Sequence, residues 1–360
     1  MVYYTLSAKD EINQFDNGFK REVSWDVPLL RGYNYTFIGN VAPKPGHYFK
    51  GIVNPYLITA IENYKPDAIL IYGWFYQSHI KVMKYFKGKI QIWFRGDSTL
   101  LDQSPIYKKL IRKIFLSWVY KHVDLAFFVG TENEKYFKAH GLKTDQLIFA
   151  PHAVDNDRFG QNRDSEASAL RKDLHLTGQD ILILFAGKFE EKKDPLILLN
   201  AFIKLNQSNT HLLFVGNGEL EETLKIESKK QKAIGGDRIH FMDFQNQSQM
   251  PVIYQACDLF CLPSKGPNET WGLAVNEAMA AGKAVLVSNK VGAAIDLVFP
   301  AKNGYVFKST DLKDLTEKLN IVTNLQTVEL FGMKSKQIIQ RWNFTEQVIA
   351  FTKKLNESIR

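Results

Sequence analysis

The amino-acid sequence predicts an α/β protein made of two Rossmann-like domains. Short apolar runs alternate with longer amphipathic stretches along the chain, which is typical of parallel βαβ units. The length of 360 residues is sufficient for two such domains. Hydrophobic residues make up 45% and charged residues 23% of the sequence, which indicates a folded globular protein rather than a disordered or fibrous one.

The predicted strands fall into two sets that are separated by a polar segment with little strand character, Asn156 to Asp180. We place the domain boundary there, with an N-terminal domain over 1–153 and a C-terminal domain over 154–341. The strands expected in the first set are Ala68–Tyr72, Lys89–Phe94, Leu125–Val129 and Leu147–Ala150. Those expected in the second set are Ile181–Ala186, Leu212–Val215, Ile239–Phe241, Leu259–Leu262, Ala284–Val287 and Tyr305–Phe307.

The composition of the chain indicates in which compartment the protein works and which classes of partner it binds. Cys257 and Cys261 lie in one apolar stretch without further cysteines, so we expect neither a disulfide framework nor a zinc site, and a reduced, cytoplasmic setting. No apolar run is long enough to span a bilayer, and the N-terminus lacks the features of a signal peptide. The chain opens directly on an extended VYYTL, so we expect an unusual or shortened start. The net charge of +8 favours a polyanionic partner: nucleic acid, anionic lipid or a phosphorylated small molecule.

Small, polar and charged residues gather where the predicted strands end. In parallel α/β sheets, ligands bind outside the carboxyl ends of the strands. Turns alone explain many of the glycines and asparagines, but they explain the charged residues less well. The strand ends therefore predict a ligand site, and they include Gly73-Trp74, Arg95-Gly96-Asp97, His152, Gly187-Lys188, Gly216-Asn217-Gly218 and Asp243.

The strongest signal is the segment 265–287, KGPNETWGLAVNEAMAAGKAVLV. It predicts a loop, a helix from about Gly272 to Ala281, and a strand. Glu269 precedes the helix and Glu277 lies within it, with seven residues between them. The backbone N–H groups of Gly272 and Leu273 at the helix start would attract a diphosphate, and carboxylates beside it could accept hydrogen bonds from sugar hydroxyls.

This segment, in which we also expect Trp271 to bind the donor, resembles the retaining GT-B-fold glycosyltransferases of family 4 (glycosyl transferase group 1), whose hallmark is E-x7-E followed by an Ala-rich helix. The resemblance implies two Rossmann-like domains facing across a cleft. It also implies that Glu269 contacts the donor sugar and Glu277 the nucleotide ribose, in a metal-independent reaction without a cofactor. The segment 342–360 would return to the N-terminal domain, as in that family.

Two lysines are similar in position to the cations of the family's G-R-x4-K segment. Lys188 stands where the family usually has Arg, and Lys193 matches the Lys. A departing nucleoside diphosphate gains negative charge, and cations are the groups that stabilise it. Gly216-Asn217-Gly218 resembles the family's V-G-x-G-x-L turn, and Asp243 follows the next strand. We expect all of these residues on the donor side.

The N-terminal half resembles the family less specifically. Gly73, Trp74, Arg95, Asp97 and His152 are candidates for the acceptor side. Arg95 and Asp97 could instead form a structural ion pair, and a lone His is often structural. Asp155-Asn156-Asp157 spells D-x-D, which binds a metal in the other main glycosyltransferase fold, but at this place a turn is the expected role.

The segment Ile106–Val123 predicts a basic amphipathic helix. Its apolar residues recur on one face, while Lys108, Lys109, Arg112 and Lys113 occupy the other. We favour a helix packed on the sheet through its apolar face. The alternative is docking on an anionic lipid surface, which would suit a lipid-linked acceptor and make the protein peripheral at the inner membrane face.

Taken together, the sequence predicts transfer of a sugar from a UDP- or GDP-linked donor to a carbohydrate or lipid-linked acceptor. A nucleotide-sugar epimerase or hydrolase, or a non-catalytic relative that binds a nucleotide sugar, remain alternatives. Nucleic-acid binding is not expected, because the chain shows no binding motif and no aromatic-interleaved basic strand.

Overall fold

The structure is a computed structural model that describes residues 1–6, 14–16, 18–230 and 238–358. The chain forms two compact units. The first consists of Met1–Gln14, Glu22–Pro151 and Thr345–Arg360, and the second of Phe15–Arg21 and His152–Phe344. The α/β fold class is confirmed, since strands and helices alternate in both units. The polar segment from Asn156 to Asp180 lies inside the second unit and contributes two helices to it.

The first unit is built around a parallel four-stranded sheet. Up to Pro151 the chain forms β1 (Val2–Tyr4), β2 (Gln14–Asp16), β3 (Arg21–Val23), β4 (Tyr35–Phe37), α1 (Leu57–Tyr64), β5 (Ala68–Tyr72), α2 (Gln77–Phe86), β6 (Gln91–Arg95), α3 (Ile106–Tyr120), β7 (Leu125–Phe128), α4 (Thr131–Ala139) and β8 (Leu147–Phe149). Most of β2 and the first residue of β3 lie in the segment Phe15–Arg21, which belongs to the second unit. The sheet order is β5-β6-β7-β8, so each strand pairs with its neighbour in sequence. Strand β1 pairs in parallel with β4 in a separate two-stranded sheet.

The second unit has the strand order of a doubly wound sheet. Its elements are α5 (Asn156–Gly160), α6 (Asp164–Asp173), β9 (Ile181–Ala186), α7 (Pro195–Leu205), β10 (Thr210–Val215), α8 (Glu221–Lys230), β11 (Ile239–Met242), α9 (Met250–Ala256), β12 (Leu259–Leu262), α10 (Leu273–Ala280), β13 (Ala284–Ser288), α11 (Ala294–Leu297), β14 (Gly304–Phe307), α12 (Leu312–Val322) and α13 (Leu325–Ile339). The parallel sheet runs β11-β10-β9-β12-β13-β14. The chain therefore winds outward from β9, returns to β12, and winds outward in the other direction.

The burial of the strands in the second unit explains why they could be predicted from the sequence. Every residue of β9 is buried, and β12 and β13 are likewise buried throughout. A parallel sheet that is covered on both faces requires continuous apolar strands rather than alternating ones. Leu198, Leu199 and Phe202 of α7 pack on this core.

The last helix, α14 (Phe344–Ser358), completes the core of the first unit. The ring of Phe351 lies 4.2 Å from that of Phe127, centroid to centroid. The side chain of Gln347 donates a hydrogen bond of 3.0 Å to the carbonyl oxygen of Pro151. Aromatic packing and one hydrogen bond thus fix this helix to β7 and to the end of β8.

The prediction that Ile106–Val123 forms a helix packed on the sheet holds only for the last turns of the helix. Helix α3 is present, but only Leu116, Val119 and Tyr120 are buried in it. The apolar side chains of its first three turns are exposed, together with its basic residues. Helical periodicity identifies an apolar face but does not determine whether another element covers it. Within the described residues, no helix is both long and apolar enough to cross a membrane.

Candidate functional site

The candidate site lies at the point where the winding of the second sheet reverses. Strands β9 and β12 are neighbours, although α7, β10, α8, β11 and α9 separate them in sequence. In open α/β sheets, ligands bind beyond the carboxyl ends of the strands at such a point. Here the loop after β9 meets the loop after β12, and the backbone N–H of Lys265 donates a 2.8 Å hydrogen bond to the carbonyl oxygen of Lys192.

A lysine and a glutamate, one from each loop, form an ion pair. The ammonium group of Lys193 contacts Oε2 of Glu269. The buried hydroxyl of Ser264 donates a 2.8 Å hydrogen bond to the same oxygen. Glu269 is 8% exposed. A buried carboxylate needs a partner of opposite charge, and Lys193 supplies it. The structure thus brings together two residues that the sequence predicted for one ligand.

The start of α10 lies directly beside Glu269. Gly272 has a φ of +91°, and a Cβ built on it would lie 3.7 Å from Oε1 of Glu269 and 2.9 Å from Val291 Cγ1. Glycine is therefore required both by the backbone conformation and by the space. The helix begins at Leu273, with Gly272 in the cap position.

Trp271 is a packing residue in this structure. It is buried, its indole nitrogen donates a 2.8 Å hydrogen bond to Oδ1 of Asn276, and its ring stands 5.2 Å from that of Trp342. His152 packs on Trp271 at 5.7 Å, and its carbonyl oxygen accepts a hydrogen bond from Asn276. His152 therefore lies with these residues of the second unit. It does not lie with the acceptor candidates of the N-terminal half, as we had predicted.

Glu277 lies on α10 and is enclosed by α5 and α9. The hydroxyl of Tyr254 donates a 2.7 Å hydrogen bond to its Oε2. Burial raises the pKa of Glu277 to about 7, while the bond from Tyr254 and the charge of Arg158 act in the opposite direction. A carboxyl with this pKa can both donate and accept hydrogen bonds near neutral pH. The structure shows no contact between Glu277 and Glu269.

Lys188 is paired with a residue that the sequence did not suggest. Its ammonium group lies 2.8 Å from Oδ1 of Asp16, and it stands 5.0 Å from the centroid of the Phe19 ring. The backbone N–H groups of Gly18 and Phe19 also donate to Asp16. Burial raises the pKa of Asp16, but these hydrogen bonds and the charge of Lys188 outweigh it, so the pKa is lowered overall. Gly18 packs closely on Lys188, because a Cβ at Gly18 would meet the lysine side chain at 2.4 Å.

The Gly216-Asn217-Gly218 turn packs against the loop that carries Lys188. A Cβ on Gly216 would lie 2.1 Å from the carbonyl oxygen of Gly187, and one on Gly218 would lie 2.6 Å from that of Phe189. The side-chain amide of Asn217 donates a 3.2 Å hydrogen bond to the exposed carboxylate of Asp243. This predicted donor segment thus adjoins the Lys188 loop through backbone contacts.

In the first unit, the predicted acceptor residues lie at the end of the sheet. Arg95 is buried, and it donates hydrogen bonds of 2.9 and 3.1 Å to the carbonyl oxygens of Ala150 and Pro151. These bonds give it a structural role in holding the end of β8. The backbone N–H of Gly73 donates to the carbonyl oxygen of Arg95, and Trp74 packs 5.4 Å from Phe115. Asp97 follows β6 and is partly buried.

A cavity of about 740 Å³ lies between β1 and β5 in the first unit. Its wall is mostly apolar and includes Tyr3, Leu70, Tyr72, Tyr76 and His79. The Nδ1 atom of His79 lies 2.9 Å from the carbonyl oxygen of Gly73, and burial lowers the pKa of His79. No sequence motif predicts this cavity, because its lining residues come from separate segments that only the fold brings together.

The D-x-D sequence forms a helix start. The carboxylate of Asp155 accepts a 3.0 Å hydrogen bond from the backbone N–H of Arg158 and caps α5. The side chain of Asn156 donates to the carbonyl oxygens of Ile339 and Trp342. Over the part of the chain that the structure describes, no three His, Cys, Asp or Glu side chains are arranged to hold a metal ion. Cys257 and Cys261 are both buried free thiols.

Comparison with known proteins finds similar sequences among the glycosyltransferases. Residues 166–340 match the family described as Glycosyl transferases group 1. The chain is 31% identical over 190 residues to the lipopolysaccharide 1,2-N-acetylglucosaminetransferase of Salmonella typhimurium, a match covering 51% of this chain and 48% of that protein. It is 28% identical over 188 residues to the phosphatidyl-myo-inositol mannosyltransferase of Mycobacterium tuberculosis, covering 51% and 42%. The chain thus spans about half the length of these curated relatives.

The solved structures extend the likeness over most of the chain. Anabaena Alr3699/HepE in complex with UDP superposes with a TM-score of 0.70 at 18% identity, covering 90% of this chain and 86% of that one. At this identity the likeness shows the fold alone. The predicted GT-B fold and the resemblance to group 1 glycosyltransferases are confirmed.

Proposed function

Because residues 166–340 match the group 1 glycosyl transferases, we propose that the protein is a retaining enzyme of glycosyltransferase family 4. In this proposal it transfers a sugar from a nucleotide-diphosphate donor to a glycan or lipid-linked acceptor, without a metal ion. The second unit binds the donor. The observation that carries the proposal is the ion pair of Lys193 with Glu269 at the reversal point of the second sheet.

The chemistry assigns a role to each charged group. The bond between the anomeric carbon and the diphosphate oxygen breaks, and the acceptor oxygen bonds to the same face of that carbon. The acceptor proton passes to the leaving phosphate oxygen. Lys188 and Lys193 stabilise the negative charge that the diphosphate gains, which removes the need for a metal ion. Glu269 accepts hydrogen bonds from the sugar hydroxyls.

Donor binding requires the two lysines to exchange partners. In the structure Lys188 pairs with Asp16 and Lys193 with Glu269. A diphosphate carries more charge than either carboxylate and binds both ammonium groups in competition with them. Glu277 binds the nucleotide ribose, with Tyr254 holding its carboxyl in place. Gly272 and Leu273 supply the backbone at the helix start, and Gly216, Asn217, Gly218 and Asp243 border the donor.

The names of similar proteins support the finer classes of substrate. HepE was solved with UDP, which favours a UDP-linked donor over a GDP-linked one. The Salmonella and Mycobacterium relatives are named for lipopolysaccharide and for phosphatidyl-myo-inositol, which favours an acceptor attached to a lipid. In the first unit, Gly73, Trp74 and Asp97 remain the proposed acceptor residues. The buried free thiols of Cys257 and Cys261 favour the cytoplasm as the place of reaction.

Replacing Glu269 by Gln tests the proposal. The variant keeps the shape of the side chain but loses the charge that holds Lys193 and the sugar hydroxyls. We expect the rate of nucleoside diphosphate release in the presence of acceptor to fall about 100-fold or more. Glu191→Gln is the matched control, because Glu191 lies in the Lys193 loop with its side chain 76% exposed. Full activity of Glu269→Gln would remove Glu269 from this role, and equal release without acceptor would indicate a hydrolase instead.

A further inference from the structure

We propose that the exposed face of α3, extended by Phe75, is a docking surface for an anionic lipid bilayer. We refer to it as the α3 surface, and it consists of Phe75, Ile106, Tyr107, Leu110, Ile111, Ile114, Phe115 and Trp118 with the basic residues Lys108, Lys109, Arg112 and Lys113. The inference rests on the exposure and charge of this helix, and it does not depend on the proposed transferase reaction.

The apolar part of the α3 surface is large and continuous. Ile106 is 87% exposed, Ile111 65% and Ile114 66%. Residues spaced three and four apart lie on one side of a helix, so these side chains form a single stripe along α3. Folded monomeric proteins rarely leave so many large apolar side chains adjacent in water, and such patches usually mark an interaction site.

Aromatic residues widen the stripe at its middle. The ring of Phe115 lies 5.4 Å from that of Trp74 and 5.7 Å from that of Trp118. Phe75 follows Trp74 and is 49% exposed. Tryptophan and phenylalanine at the boundary between an apolar surface and water are typical of helices that lie in a membrane interface.

The positive charge of the α3 surface favours an anionic lipid bilayer over a second copy of the chain as its partner. From Gln103 to Val123 the chain contains no acidic residue, whereas Lys108, Lys109, Arg112, Lys113 and Lys121 are all basic. Over the described residues, no carboxylate forms an ion pair with Lys108, Lys109 or Lys113. A second copy of the chain would bring like charges together on this face, which costs free energy. Anionic headgroups complement the lysines, and the hydrocarbon beneath them accepts the apolar stripe.

A flotation experiment with the full chain tests this proposal. The probes are vesicles of phosphatidylcholine alone and of phosphatidylcholine mixed with phosphatidylglycerol. We expect the protein to float with the mixed vesicles only, and less as the NaCl concentration rises, because salt screens the lysines. Ile111→Glu with Ile114→Glu should abolish flotation. Met333→Glu is the matched control, since Met333 is 60% exposed on another helix.

A second set of variants tests the contribution of the lysines of the α3 surface to membrane binding. Lys109→Gln with Lys113→Gln should weaken partitioning into the mixed vesicles by roughly fivefold for each lysine removed. Lys229→Gln, an exposed lysine of the second unit, should leave it unchanged. The melting temperatures of all variants should match that of the native chain, because the replaced side chains are exposed.

Three results of the flotation experiment would overturn the proposal. These are the absence of flotation with mixed vesicles, equal flotation with neutral vesicles, and flotation that survives both isoleucine replacements. A concentration-dependent dimer that dissociates on Ile111→Glu would also overturn it, and would assign the α3 surface to a second copy of the chain. Loss of transferase activity on a soluble acceptor bears only on the proposed function.

Discussion

Glu277 makes the stability of the protein depend on pH in an unusual direction for a carboxyl group. Its pKa lies at about 7 in the folded chain, against 4.5 for an ordinary glutamate. The folded state therefore binds its proton more tightly than the unfolded state does. Stability from this group is fully present below about pH 4.5 and is lost as the pH rises to about 7.

We predict that Glu277→Gln removes this dependence. Relative to the variant, the native chain should lose at most about 3 kcal/mol of unfolding free energy as the pH rises through that range. Urea denaturation at several pH values measures the difference. Glu221→Gln provides a control of opposite sign, because hydrogen bonds from Lys225 and Asn217 outweigh burial and lower the pKa of Glu221. A pH-independent difference for Glu277→Gln would contradict the assigned pKa.

Asp16 competes with the donor for Lys188, so we predict that Asp16→Asn strengthens donor binding. The pair is partly exposed, and exposed ion pairs contribute about 0.2–1 kcal/mol, so the gain should be about 1.4- to fivefold in Kd. Isothermal titration calorimetry with a nucleoside diphosphate measures it. In a Lys188→Met background the effect of Asp16→Asn should vanish, because the two residues act through one contact. An equal effect in both backgrounds would exclude competition at Lys188.

The sequence predicted the residues of the site better than it predicted their contacts. Glu269 and Lys193 were assigned to one ligand because the spacing around each resembles a family motif, and they lie in direct contact. The ion pair of Asp16 with Lys188 could not be predicted, because the two residues are far apart in sequence and the short segment around Asp16 contains no recognisable motif. Trp271 is buried and Arg95 binds backbone carbonyls, because sequence alone does not tell a side chain that faces a ligand from one that faces the core.

At the level of elements, the turn after β10 depends on the absence of a side chain. We predict that Gly216→Ala destabilises the protein by about 3 kcal/mol, because its Cβ would meet the carbonyl oxygen of Gly187 at 2.1 Å and the backbone φ is +135°. It should also weaken nucleotide binding, since the displaced backbone carries Lys188. Thermal unfolding and titration with nucleotide measure the two effects.

Gly178→Ala is the matched control for this prediction. Nothing lies within 4 Å of a Cβ at Gly178, so the substitution should leave stability unchanged or raise it slightly. If Gly216→Ala had as little effect on stability as Gly178→Ala, the loops after β9 and β10 would not be packed as closely as described.

The ten predicted strands agree with the structure to within a few residues, whereas β2, β3 and β4 were not predicted. The burial of α3 was predicted less well than the strands. Strands β9 and β12 are buried on both faces, so their continuous apolar runs identify them directly. Helix α3 has an equally clear pattern, but its first turns find no partner among the described residues that buries them. The spacing of apolar residues predicts that α3 is amphipathic, whereas the burial of its apolar face depends on whether another element of the fold packs against it.

At the scale of the whole chain, sequence order does not coincide with the folded units. The boundary predicted after residue 153 lies two residues from the division between Pro151 and His152. The polar segment from Asn156 to Asp180 that suggested it forms α5 and α6 of the second unit. The segment Phe15–Arg21 belongs to the second unit although it lies near the N-terminus. A short segment without a strong apolar pattern carries no local sign of the unit it joins.

In the proposed function, the second unit binds a nucleotide sugar through Lys188, Lys193 and the two glutamates without a metal ion. Thermal unfolding of the full chain with UDP-, GDP- and ADP-sugars, each with and without EDTA, is the measurement that tests this binding. We predict that a UDP-sugar raises the melting temperature, that EDTA does not alter the shift, and that a Lys188→Met, Lys193→Met variant loses it. A shift that EDTA abolishes, or one that persists in the double variant, would contradict the account.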